Sequence, residues 1–326
     1  MNASAVTRTS HSRGFALSIA LMALVAACLF FGGDFTVPIA GDKGLGLPSA
    51  NLWIPHGTLN FICAMAGTAV TIVIMLLLNK VHNVMRSMTS VYIAFFCMMQ
   101  LATPELMTQF YTGTILAIVV PLCMLLIFGC YRNPGATRTV FLNSLLLSFF
   151  TATQYCYAFY IPAMFIGFAQ MGIFNRRTLA ASFMGLLTPW VIMLGFGIVR
   201  PEDLHMPEFV SVLSIADIED IFLMLIAIGF TAILTFGCYI FMLLRTIAYN
   251  ARARAINGSF LIVTLVTTIA ICVDFHNMIS YVPMLNFCAA MEVTHFFSVH
   301  RAEKSFIAIF SLFTLYAVLF ACQIII

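Results

Sequence analysis

Between residues 274 and 304 the chain reads Asp274-Phe-His276-Asn277, then fourteen mostly apolar residues, then Glu292-Val-Thr-His295, and it closes with His300-Arg301-Ala-Glu303-Lys304. Here ionisable side chains sit inside an otherwise lipid-soluble segment. A carboxylate or imidazole in a bilayer core costs roughly 2.5 to 3.5 kcal/mol even on lenient insertion scales, so such groups face a protein interior or a water-filled cavity. Glu292, His295, Asp274 and His276 are therefore the candidate intramembrane polar site.

Composition sets the class around that stretch. Of the 326 residues 62% are hydrophobic and 8% charged, with 32 Phe and 20 Met, which leaves too little polar surface to coat a soluble globule. The fold class expected is all-α, a polytopic transmembrane helix bundle forming one integral membrane domain over residues 1–326. The net charge of +3 is spread in pairs between apolar spans, which excludes a nucleic-acid surface. The ten cysteines stand singly in apolar segments without a C-x-x-C pair and read as small buried hydrophobes.

Working outward, the apolar runs number eleven: 15–31, 59–79, 88–102, 111–131, 139–153, 155–174, 178–199, 221–244, 260–273, 278–299 and 305–326. The fifth and sixth come from one stretch, Thr139 to Phe174. As a single helix it would be about 54 Å long against a hydrocarbon thickness of about 30 Å, so it must fold back, with the break at Thr153-Gln154-Tyr155. One hairpin earlier a short outgoing segment meets a polar outer turn (Glu105, Gln109, Tyr111) and a longer return. Paired interrupted segments point to a transporter's repeat and binding site, and they also occur in ordinary hairpin packing.

Two stretches break the hydropathy. Residues 32–58 carry Pro38, Pro48, Pro55 and six glycines and read as an external Gly/Pro-rich loop, with Trp53 as an interfacial anchor. Residues 200–220 form an acidic external loop in which Ser211, Ser214 and Asp217 recur at threes among apolar neighbours, the pattern of an amphipathic surface helix. The first apolar run also has a signal-peptide reading, cleaved or lipidated at Cys28 in Val25-Ala26-Ala27-Cys28.

Charge gives the orientation independently. With a cytoplasmic N-terminus, 13 of the 15 basic residues fall inside and only Lys43 and Arg200 outside. Of the twelve acidic residues Glu303 falls inside and Glu292 within a span, and the other ten lie at the outer face. An odd number of crossings then puts the C-terminus outside.

Glu292-x-x-His295 has the spacing of the di-iron helix motif, but that site needs a second such pair and two more carboxylates, which no other apolar segment supplies. No H-E-x-x-H, Walker A, G-x-S-x-G or G-x-G-x-x-G is present. No metal and no cofactor are expected, and catalytic residues are unknown. In Gly185-Leu-Leu-Thr188-Pro189, Gly185 pairs with Ala181 for close helix contact, Pro189 kinks the helix and Thr188 satisfies a freed carbonyl.

Arg177, Gly185-Leu-Leu-Thr-Pro189 and the ending Pro283 to Lys304 before a last apolar helix resemble an uncharacterised family of multi-pass inner-membrane proteins from Bacteroidetes-type bacteria. The resemblance covers most of the chain, implies a bacterial inner-membrane location and brings no catalytic residues. The layout also looks like that of proteins that polymerise or move lipid-linked glycans. The first functional expectation is thus handling of a lipid-linked envelope substrate, with Arg176 and Arg177 at phosphate headgroups and membrane lipids and a lipid-linked glycan as partners. The alternatives are a proton-coupled secondary transporter with Glu292 and His295 as relay, and a structural membrane subunit without its own substrate.

Overall fold

The computed structural model describes residues 13–32, 44–84, 88–204, 218–246, 250–299 and 302–325, and these are all-α. The longer helices are α1 (Arg13–Gly32), α2 (Thr58–His82), α3 (Thr89–Leu101), α4 (Thr112–Phe128), α5 (Thr137–Thr153), α6 (Tyr160–Gln170), α7 (Arg176–Gly195), α8 (Ile218–Thr246), α9 (Ala251–Val273), α10 (Met278–Val299) and α11 (Ala302–Ile325). Each apolar run read from the sequence corresponds to one of them. Within the described residues, five are long and apolar enough to cross a membrane: Thr58–His82, Arg176–Gly195, Phe222–Leu244, Ala251–Val273 and Ile307–Ile324.

Their outer faces carry large exposed apolar side chains, such as Val73 and Leu77 on α2, Phe183 and Leu187 on α7, Ile233 on α8 and Phe310 on α11. Apolar belts of this extent on several helices exceed what a water-soluble monomer exposes and suit a hydrocarbon solvent. This is the build of a helical membrane protein.

α10 is the axis of the bundle. It packs on α3, α4, α8, α9 and α11, and Tyr281, Met284, Leu285, Phe287, Ala289 and Ala290 are wholly buried. A helix enclosed on all sides can carry polar groups only if neighbours receive them, and α10 carries Ser280, Asn286, Glu292, Thr294 and His295, all buried.

α5 and α7 form the tightest pair. Along α7 the buried positions Thr178, Ser182, Gly185, Pro189 and Met193 make one stripe, and the rest of the helix is apolar and largely exposed. A Cβ at Gly185 would stand 2.5 Å from the Phe141 carbonyl oxygen and 2.9 Å from Ser144 Cβ, so only glycine permits this approach. Ser144 and Ser182 hydroxyls bond across the seam at 2.6 Å. Thr188 donates to the Met184 carbonyl at 2.5 Å, a bond within the helix one turn ahead of Pro189.

Several expectations change. The α3–α4 turn, expected as a polar outer turn, is buried: Thr103, Leu106, Gln109 and Tyr111 are all inside. The reason is length, because the thirteen residues of α3 reach only about 20 Å. Thr103 before Pro104 cannot continue the helix, and Pro104 starts a single new turn, Pro104–Met107, where its missing N–H is harmless. Gln100 in the last turn of α3 meets Asn286 of α10 at 3.4 Å, about 12 Å past the start of that helix, so the turn is sunk into the bundle.

The return after Thr153 is not the longer partner expected. It is a 3₁₀ turn, Tyr155–Phe159, followed by the eleven-residue α6, and it ends at Gly172 with φ of +67°. α9 starts at Ala251 rather than Phe260, because the Asn250 side chain accepts from the Ala253 N–H and caps a first turn carrying Arg252 and Arg254. α8 starts at Ile218, ahead of the expected Ile221. Within the 32–58 stretch, Ser49 and Ala50 are buried against the helices. The surface helix expected in 200–220 falls mostly on 205–217, outside the described residues, which hold only the 3₁₀ turn Pro201–Asp203 and the start of α8. Cys28 is an exposed residue of α1.

Candidate functional site

Three helix interruptions meet at one end of the bundle. α5 stops at Thr153 because Gln154 is extended, α9 stops at Val273 before the 3₁₀ turn Phe275–Asn277, and α4 opens after the extended Tyr111. Non-helical backbone is tolerated at membrane depth only where protein or a cavity satisfies it. Here polar side chains at the breaks join into one network, and Asn51 receives a backbone N–H at the opening of α4.

Asp274 is the centre and is 0% exposed. Its Oδ1 accepts the Tyr155 O–H at 2.8 Å and its Oδ2 accepts the Tyr281 O–H at 2.8 Å. Asn277 Nδ2 donates to the Tyr155 hydroxyl oxygen in a short bond, and Asn277 Oδ1 accepts from Gln154 Nε2 at 3.3 Å. Gln154 Oε1 in turn accepts from Ser49 Oγ at 2.7 Å and Thr112 Oγ1 at 3.0 Å. Asn51 Oδ1 accepts the Thr112 N–H at 2.9 Å, which satisfies a donor at the opening of α4. One continuous network thus joins the 44–57 segment to α4, α5, α9 and α10. Both oxygens of its carboxylate take phenol donors, so the buried carboxyl group is received wholly by side chains of the protein.

From Tyr281 a second line of polar groups runs down the α6–α9–α10 interface. The Tyr160 and Thr267 hydroxyls are 3.0 Å apart, and Thr264 lies one turn earlier on the same face of α9. The Thr264 O–H donates to Glu292 Oε1 at 3.3 Å. Tyr281, Cys288, Glu292 and His295 follow the 3.6-residue period, which puts all four along one face of α10. Glu292 is 3% exposed.

The residues picked out from sequence are therefore divided. Glu292 and His295 are buried together in the second half of α10. Asp274 is buried near the opposite end, with the fourteen residues from Met278 to Met291, about 21 Å of helix, between them. His276 lies in the 3₁₀ turn beside Asp274, and its side chain is outside the described residues. Arg176 and Arg177 are exposed at the start of α7, where Asn175 and Thr178 form a capping box, and they do not join either group.

Sequence reading passed over Ser49, Thr112, Gln154, Tyr155, Asn277 and Tyr281 as functional groups. The available signal was a polar or phenolic residue at each helix interruption, strongest at Gln154-Tyr155. None of these residues is ionised at neutral pH, so a search for charges passes them by.

No family model, characterised protein or solved structure matches the chain. Roles in this site rest on its geometry.

Proposed function

We propose that the protein is a proton-coupled secondary transporter, with Asp274 at the end of α9 and Glu292 on the central helix as proton-carrying groups. The observation that carries this reading is the burial of Asp274 at a junction of interrupted helices, held by Tyr155 and Tyr281. An ionisable group inside a membrane protein marks an ion or substrate path by default, and broken helices place such groups at the interface of moving parts. The topology that goes with it is eleven crossings of a bacterial inner membrane, N-terminus inside and C-terminus outside, supported by the distribution of the basic residues.

The test is electrical. Proteoliposomes carrying the full chain are exposed on a supported membrane to classes of small solutes under an imposed pH gradient. A solute-dependent charge movement is expected, lost in Asp274→Asn and retained in the exposed control Arg176→Gln. If every solute class leaves the wild-type protein silent, the transport reading falls.

One observation favours the lipid-linked substrate instead. An open groove of about 580 Å³ lies beside α2, lined by Val73, Leu76 and Leu77 and by the polar Asn79, Lys80, Asn83 and Thr89. An acyl chain fits its apolar part and an anionic headgroup its Lys80 end. Mass spectrometry of lipid co-purified with the protein separates the readings: a stoichiometric lipid-linked saccharide supports this one, and bulk phospholipid alone does not.

A further inference from the structure

Beneath the sunken α3–α4 turn lies a cavity of about 10 Å³, lined by Thr68 and Thr71 of α2, Gln100 of α3, Met107 of the turn, and Tyr111 and Thr114 around the start of α4, among others. That is about the space one water molecule needs. The Tyr111 hydroxyl is completely buried and has no partner within the protein.

The cavity lining offers both donors and acceptors. Thr68 and Thr71 spend their hydroxyl hydrogens on the Ala64 and Gly67 carbonyls of their own helix, at 3.0 and 3.1 Å, so their oxygens remain as acceptors. Gln100 Oε1 accepts from Asn286 Nδ2 and keeps a second lone pair. Tyr111 O–H, which has no other partner, supplies a donor, beside the Thr114 hydroxyl and the Gln100 amide on the same lining. A small ligand that both accepts and donates hydrogen bonds therefore fits, whereas a cation would find no carboxylate lining the cavity to offset its desolvation.

We infer that this cavity is a built binding site for a single ordered water, which accepts from Tyr111 and donates to Gln100 and an α2 threonine. The water links the sunken turn to α2 and, through Gln100 and Asn286, to the central helix. It makes the turn a wet step inside the bundle, independent of whether the protein moves protons.

Two readouts test this on the full chain in detergent. In the first, X-ray radiolysis in ¹⁸O-labelled water produces hydroxyl radicals at bound waters, and a bound water oxidises the side chain beside it. Met107 lines the cavity and Met284 does not, although both are buried. Labelling is expected at Met107 several-fold above Met284 and is expected to fall in the double variant Tyr111→Phe/Thr71→Val. In the second, the sign of the Tm change for Tyr111→Phe distinguishes wet from dry. Loss of a bond to water lowers Tm by about 2 °C, whereas removal of an orphaned hydroxyl from a dry cavity raises it. Met107 labelling no higher than Met284, labelling unaffected by the double variant, or a raised Tm for Tyr111→Phe would each overturn the assignment.

Discussion

The Tyr281 hydroxyl lies 2.8 Å from Asp274 Oδ2, so a residue in the first turn of α10 reaches back across the 3₁₀ turn to the carboxylate that ends α9. The bond closes the α9–α10 hairpin and, through Tyr155, fastens it to the break between α5 and α6. Removing the acceptor should show this. Asp274→Leu removes the acceptor of the buried Tyr281 phenol and of the half-buried Tyr155 phenol and is expected to lose about 1.5 to 3 kcal/mol. Asp274→Asn keeps an acceptor and is expected to remain folded and monodisperse. Thermal unfolding in detergent checks both, and equal stability of Asp274→Leu and wild type would mean that the network does not hold the hairpin.

Glu292 is the second buried carboxylate, with Thr264 as its donor. Glu292→Gln preserves size and hydrogen bonding but cannot exchange a proton. It is expected to abolish proton-linked charge movement while insertion and monodispersity persist. A Glu292→Gln protein with full charge movement would remove this residue from the path.

At the α5–α7 seam a methyl group is too much. Gly185→Ala puts Cβ against the Phe141 carbonyl oxygen at 2.5 Å, and overpacking of this kind costs about 1 to 3 kcal/mol. Gly195, at the end of the same helix, has open space where a Cβ would stand. Gly195→Ala should leave Tm within about a degree of wild type while Gly185→Ala lowers it clearly; similar effects at both sites would count against close packing of α5 on α7.

Asn143 of α5 is wholly buried with neither side-chain amide atom hydrogen-bonded. An unsatisfied buried polar group costs about 1 to 3 kcal/mol, so Asn143→Leu, of similar shape, is expected to raise Tm. A fall in Tm would show that the amide has a partner in the membrane-embedded protein.

The orientation is checked with reporters. One fused after Arg254 is expected in the cytoplasm and one fused at Glu202 outside, since the basic residues demand opposite sides for these two positions. Both reporters on one side would break the alternation between them.

Hydropathy and segment length by themselves determined the class, the division into apolar segments and the break at Thr153-Gln154-Tyr155, because partition into lipid and the reach of a helix are decided within a stretch of contiguous chain. They also marked Glu292, His295 and Asp274, since an ionisable residue in an apolar run is visible locally. What only the tertiary structure decided is how these groups are received. Gln154 and Asn277 bond across 123 positions, and Ser49 and Gln154 across 105, so neither partner leaves a mark on the other's neighbourhood. The α3–α4 turn reads as polar and outer in one dimension, but it is buried because α3 is too short to carry it across and α10 offers Asn286 to meet it at depth. Burial of a polar turn depends on its hydrogen-bond partners, and in this protein those partners come from other helices.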